Sequence, residues 1–349
     1  MDRITEIRPS ERLAYNAAKE RWNSIAKPLG SLGLFENAVC RIAAVQGTPD
    51  VDISRRTAVV FCADNGVVCE NVSQSDSSVT ALCAREIAGG RSNINALAVA
   101  YGADVIAIDI GISEDLKCAE LLDRKIAQGT ENIAVGAAMS REEAKRAVCV
   151  GMDTVSTLKD SGVNIIVSGE MGIGNTTTSA AIASVLLGLP PGAVTGRGAG
   201  LDSAGLARKI SVIERATEVN RPDKNDPLDV LAKLGGFDIA GMVGLFLGGA
   251  VYHIPVVIDG AISAVSALLA ERIAPVCSDY MLASHVSAEP VGKLLLDAIG
   301  LKPVITAEMR LGEGTGGIML LLLLDGALAV YNNAHRFDEI GLERYIEKK

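Results

Sequence analysis

The chain has 349 residues, 49% hydrophobic and 21% charged, and a formal net charge of −9. That much apolar side chain offsets the entropy of ordering, which excludes wholesale disorder, and the length predicts two domains or one large α/β domain with a smaller accessory part. The charge excludes broad binding to nucleic acid or an anionic membrane, and an aromatic share of 3% excludes stacking platforms for single strands; a small anionic ligand in a local pocket remains open.

Met1 to Arg8 contains no apolar segment of the kind that directs secretion. Residues 10–47 read as two helices, the first opened by Ser10 and carrying Leu13, Ala17 and Trp22, the second following Gly30-Ser31-Leu32-Gly33. From Thr57 the pattern changes: β-branched runs at 58–61, 105–108, 164–167 and 255–258 alternate with helical stretches near 77–89, 92–101, 141–161, 175–188, 203–220, 238–252 and 261–273. Such alternation is that of βαβ units around a buried parallel sheet. Ser140 and Glu143 form a capping box that opens the 141–161 helix, and Pro222 to Asp226 reads as a solvated loop. After 285 two more helices follow, at 289–299 and 316–332. The longest apolar run, Ile318 to Leu324, ends at Asp325, too short to span a bilayer. The seven cysteines include no Cys-x-x-Cys pair, so free thiols are expected, with no disulfide framework or zinc ribbon. A soluble cytoplasmic protein is expected. The pattern predicts a doubly wound domain over 55–285 and a small helical domain built from 1–54 and 286–349.

Four of the predicted strands end on a carboxylate: Asp64, Asp109, Glu170 and Asp259. In open parallel sheets ligands bind at that edge. Four carboxylates there would favour a cationic group, although any one of them also serves to cap a helix or fix a turn. Two glycine-rich turns, Gly169 to Thr177 and Thr195 to Gly200, each precede a helix, and Lys209 follows the second. Bare amides at a helix start hold a phosphate. Neither turn has a Walker or dinucleotide pattern. A third turn, Met309 to Gly317, sets Glu313 among glycines with no structural task apparent, a position suited to a general base. His253 and His335 have no partner at metal-ligand spacing, and His285 reads as a positioning residue.

The chain resembles the nicotinate-nucleotide–dimethylbenzimidazole phosphoribosyltransferases, which make the α-ribotide of the lower ligand of cobalamin. The resemblance lies in Lys27-Pro28-Leu29-Gly30-Ser31-Leu32-Gly33, Cys62-Ala63-Asp64-Asn65-Gly66-Val67, Asn132 to Gly136, Gly169 to Thr177, Gly235 to Asp238, Ser284 to Glu289 and Arg310 to Gly316, in order along nearly the whole chain. It implies a Rossmann-like domain with a small domain made from both chain ends, usually in a homodimer. It also implies nicotinate mononucleotide as phosphoribosyl donor, an aromatic acceptor, and no cofactor or metal. Glu313 falls on the catalytic base and Glu170 on a second active-site acid. Gly172, Gly198, Lys209 and Ser287 fall where the family binds the 5′-phosphate, and Ser75, Asp259 and Leu311 around the incoming base.

Two positions depart from the family. Cys83 stands where a glutamine of the acceptor pocket is usual, and Asn65 where histidine follows the aspartate. Cys83 is therefore a candidate acceptor-pocket residue, and the acceptor is either a benzimidazole or a phenol such as p-cresol. Relatives that use phenols work as pairs of paralogous subunits, so a homodimer and a heterodimer both stand. Two other readings compete: a non-catalytic paralogous subunit, against which Glu313, Glu170 and Lys209 speak, and a magnesium-dependent phosphotransferase, which predicts loss of activity with EDTA.

Overall fold

The computed structural model describes residues 1–346. Six strands, β1 (Arg56–Ala63), β2 (Asp104–Gly111), β3 (Leu122–Asp123), β4 (Ile165–Met171), β5 (Val256–Ile258) and β6 (Met281–Ala283), form one sheet in the order β3-β2-β1-β4-β5-β6. Every pairing is parallel. The order reverses between β1 and β4, and at such a switch point the following loops part to leave a crevice. β1 shows why the sequence reads as continuously apolar: Val59, Phe61 and Ala63 enter the core on one face, Ala58, Val60 and Cys62 that on the other.

The helices are α1 (Arg12–Ser24), α2 (Leu34–Gln46), α3 (Ser78–Ala88), α4 (Asn93–Ala100), α5 (Arg141–Asp160), α6 (Asn175–Leu187), α7 (Pro191–Val194), α8 (Ser203–Asn220), α9 (Pro227–Leu234), α10 (Phe237–Tyr252), α11 (Ala261–Ile273), α12 (Gly292–Ile299) and α13 (Thr315–Asn333). The doubly wound α/β architecture is thus the one expected. α5 and α10 approach so closely that a Cβ at Gly244 would lie 2.0 Å from the Val148 carbonyl oxygen, and one at Gly151 2.0 Å from that of Gly241. Glycine contacts of this kind fill the core where aromatic side chains are scarce.

The chain ends meet. Ala26 N–H donates to His335 O and Phe337 N–H to Ser24 O, and the Trp22 and Tyr331 rings stand 4.9 Å apart. α1, α2 and α13 share one apolar cluster with α3 and a face of the sheet, whereas α12 packs beside α11 on the opposite face. α13 is the one helix among the described residues long and apolar enough to cross a membrane, yet 56% of it is buried here and Asp325 forms a two-pronged ion pair with Arg56.

Several elements differ from expectation. Glu11, not Ser10, precedes α1, because Ser10 N–H is drawn to Asp279 Oδ2 at 3.2 Å. β3 and β6 are two and three residues long, too short for any periodicity to show. α9 follows the Pro222 to Asp226 loop with Asp226 as its N-cap and Pro227 at its first turn, a start signal present in the sequence. The Ser140–Glu143 capping box forms as written.

Candidate active site

Only two of the four strand-end carboxylates reach a cavity. Asp109 accepts from the N–H groups of Gly111 and Ile112 and stands 3.3 Å from Lys125 Nζ, and Asp64 accepts from Ser113 N–H. These two fix turns, so the expectation of four converging acids is corrected to Glu170 and Asp259. Both line a cavity of about 320 Å³ beside the switch point, together with Glu313, Cys83, Gly172, Gly198, Ser287 and Leu311. A second cavity, of about 380 Å³ between α2 and β6, contains no carboxylate in its lining and offers Arg41 and Lys302 instead.

Glu170 is buried at the end of β4. Its Oε2 accepts a short hydrogen bond from Asn175 Nδ2, whose other acceptor is Asp238 Oδ2 at 2.9 Å. Burial pushes the Glu170 carboxyl up to about 8, and the negative charge of Asp238 adds to the shift. Asp238, at the start of α10, is a third acid that strand-end reasoning misses, because it is brought in by a helix. Asp259 takes a different part: its carboxylate accepts from Gly314, Gly316 and Gly317 N–H at 3.2, 2.7 and 3.2 Å. It pins the start of α13. Burial raises its pKa while those three donors oppose the rise.

The loop so pinned carries Glu313. Gly312, Glu313 and Gly314 have φ of +86°, +62° and +97°, a left-handed run that glycine adopts freely and glutamate does not. Glu313 is held there half-buried, with Oε2 accepting from Ile94 N–H at 3.1 Å. It therefore has a structural task that the sequence conceals: it caps α4, a helix more than two hundred residues earlier. The cap leaves the carboxylate at the cavity, where its charge raises the half-buried Cys83 thiol after burial has done so.

Lys209 does not line the cavity. It is 0% exposed, its Nζ donates to Thr176 Oγ1 at 2.8 Å, and burial pushes it down to about 8. A Cβ at Gly198 would lie 3.5 Å from Nζ, so the ammonium sits directly beneath the Gly198 backbone. Ser75 is also outside the lining; Ser73, two residues earlier, is part of it. Sequence reasoning left out Arg310, an exposed cation at the cavity, and Asn175 and Glu289, which also line it. His285 Nδ1 stands 3.0 Å from Ser284 Oγ on the cavity wall, and burial lowers its pKa. Among the described residues no three His, Cys, Asp or Glu side chains are grouped to hold a metal ion.

A parallel sheet in this strand order, with glycine turns and buried acids around a cavity at its switch point, is the setting of a nucleotide-binding enzyme, and residues 7–342 match the phosphoribosyltransferase family. The nicotinate-nucleotide–dimethylbenzimidazole phosphoribosyltransferase of Ruminiclostridium cellulolyticum is 45% identical over 94% of this chain and 93% of its own, and that of Desulforudis audaxviator 44% identical over 98% and 97%. The crystal structure of CobT from Thermus thermophilus superposes with a TM-score of 0.90 at 36% identity, covering 95% of this chain and 100% of that one. The chain belongs to the nicotinate-nucleotide–dimethylbenzimidazole phosphoribosyltransferase family.

Proposed function

We propose that the protein transfers the phosphoribosyl group of nicotinate mononucleotide to an aromatic acceptor, releasing nicotinate and an α-ribotide 5′-phosphate for cobamide lower-ligand synthesis. The observation that carries this reading is the meeting of Glu313, Glu170, Cys83, Gly172 and Gly198 around one cavity in a chain of this family. The glycosidic nitrogen of the donor is already cationic, so nicotinate leaves without protonation. The chain has to stabilise oxocarbenium-like charge and remove the acceptor's proton. Glu313 is the base, and its carboxylate with that of Asp259 supplies the electrostatic stabilisation. Gly172, Gly198 and Ser287 cradle the 5′-phosphate, with the Lys209 charge beneath. Leu311, Cys83 and Ser73 form walls for the acceptor, while Asp259 acts by holding the Glu313 loop. One displacement from the opposite face inverts the anomeric carbon.

The acceptor is a benzimidazole or a phenol, and Cys83, a weak donor, favours the smaller and less polar choice. We place the enzyme in the cytoplasm; all seven cysteines are free thiols, in keeping with a reducing compartment. It acts as a dimer with itself or a paralogue, a reading supported by Leu82, Val99, Leu322 and Leu323, exposed on α3, α4 and α13, of which α4 packs against the other two. The small part made from 1–54 and 286–349 carries the Glu313 loop to the sheet edge, a reading supported by the meeting of the two chain ends. Incubation with nicotinate mononucleotide and either dimethylbenzimidazole or p-cresol should release nicotinate. No release with either acceptor, alone or with a paralogous subunit, refutes the proposal.

A further inference from the structure

Asp238 is fully buried and lines no part of the cavity, yet it is tied to the site through one amide. Asn175 Nδ2 has two hydrogens, and the structure gives one to Asp238 Oδ2 and the other to Glu170 Oε2. Asp238 Oδ1 accepts from Ile239 N–H at 2.9 Å, and the Asn65 side chain, at the position where the family usually has histidine, bonds to the Asp238 carboxyl as well. Both oxygens lie against glycine backbone, in space that a side chain there would take: a Cβ at Gly236 would lie 2.3 Å from Oδ1 and one at Gly172 2.6 Å from Oδ2. Among the described residues no lysine or arginine pairs with either acid. Two buried carboxyls without a cation cannot both be charged at modest cost, so the pair retains a proton.

We propose that Asp238 is a positioning residue for the transfer reaction: through the Asn175 amide it fixes the Glu170 carboxyl, and its own charge keeps the shared proton on Glu170. This rests on the phosphoribosyl-transfer reading. A neutral Glu170 donates a hydrogen bond into the cavity and adds no negative charge opposite an anionic nucleotide, where Asp259 and Glu313 already stand. The groups facing Glu170 are Asp238 from α10, Asp259 after β5, Glu313 before α13 and the Cys62 thiol from β1. Burial is the first cause of the upward shift of Glu170 and the Asp238 charge the second, while the Asn175 bond opposes both.

The test compares wild type, Asp238→Asn and Asn175→Ala by nicotinate release against pH and by the infrared band of the protonated Glu170 carboxyl, assigned by its absence in Glu170→Gln. Removing the Asp238 charge should move both the basic limb of the kcat profile and the band to lower pH by a unit or more. It should lower kcat by about 10²-fold, the scale of a misplaced reacting group, with a smaller change in KM. Asn175→Ala should move the band the other way, because it removes a bond that favours the charged form, and it serves if Asp238→Asn does not fold. An unshifted band and limb in both variants, or a lowered Tm with kinetics intact, overturns the proposal. Failure of wild type to release nicotinate overturns the activity reading instead, and the band still reports on the pair.

Discussion

Replacing Glu313 separates its two tasks. In Glu313→Gln the amide oxygen still accepts from Ile94 N–H, so the 3.1 Å cap on α4 survives in neutral form. The loss there is the charge–dipole part, about 0.3–1 kcal/mol at a helix N-terminus. Proton-accepting power is lost entirely, which for a positioned general base is worth roughly 10²–10⁴ in rate, or about 3–5 kcal/mol of barrier. Glu313→Gly makes the contrast sharper. It removes base and cap together but relieves a left-handed φ of +62°, a strain of about 1–2 kcal/mol for a residue with a Cβ. Cap loss and strain relief nearly cancel, so this variant should melt within a few degrees of wild type while losing activity at least as fully as Glu313→Gln. Steady-state nicotinate release and a calorimetric melt on the three proteins measure both effects. A Gln variant that turns over within a few-fold of wild type refutes the assignment of the base, and Glu170 is then the next residue to test.

The Lys209 ammonium, pushed down to about 8, must be charged to hold a phosphate, so KM for the nucleotide should climb about tenfold per unit once pH passes 8, and binding there should take up protons measurable by calorimetry in buffers of different ionisation heat. Because its folded value lies below the ordinary one, the unfolded chain binds the extra proton and this residue's contribution to stability should improve between pH 8 and about 10; a KM flat from pH 7 to 9.5 contradicts the phosphate role. Cys83→Gln should move the acceptor preference toward dimethylbenzimidazole over p-cresol by roughly 10- to 200-fold in relative kcat/KM, the worth of one pocket contact, and identical ratios in both proteins would mean that the acceptor does not touch this wall. Gly244→Ala drives a Cβ to 2.0 Å from the Val148 carbonyl, a clash of backbone against backbone between α5 and α10, so chemical denaturation should show a loss of about 1–3 kcal/mol or more; a wild-type midpoint would mean that the two helices are free to part.

The parallel sheet, most helices and the cavity's principal glycine turns were legible in the sequence because their causes are local. Eight-residue β1 is apolar on both faces, Ser140 and Glu143 sit three apart, and the Gly169 to Thr177 segment begins in the last residues of its strand and runs straight into the next helix. The start of α9 was equally local, in Asp226 and Pro227, but its eight residues are too few for a periodic stripe to stand out. What the tertiary structure alone decided is which acids are consumed by the backbone and which are left for chemistry. Asp64 and Asp109 look the same as Glu170 in sequence, each an acid after a β run. The N–H groups that engage the first two lie at the end of β2 and in the loop after it, and the Asn175 and Asp238 groups that surround Glu170 come from α6 and α10. Glu313 shows the same limit in reverse: it had no visible task because its partner, Ile94 N–H, is 219 residues away. A carboxylate's state depends on the donors and charges within a few ångströms, and those are assembled by chain crossings that no local pattern encodes.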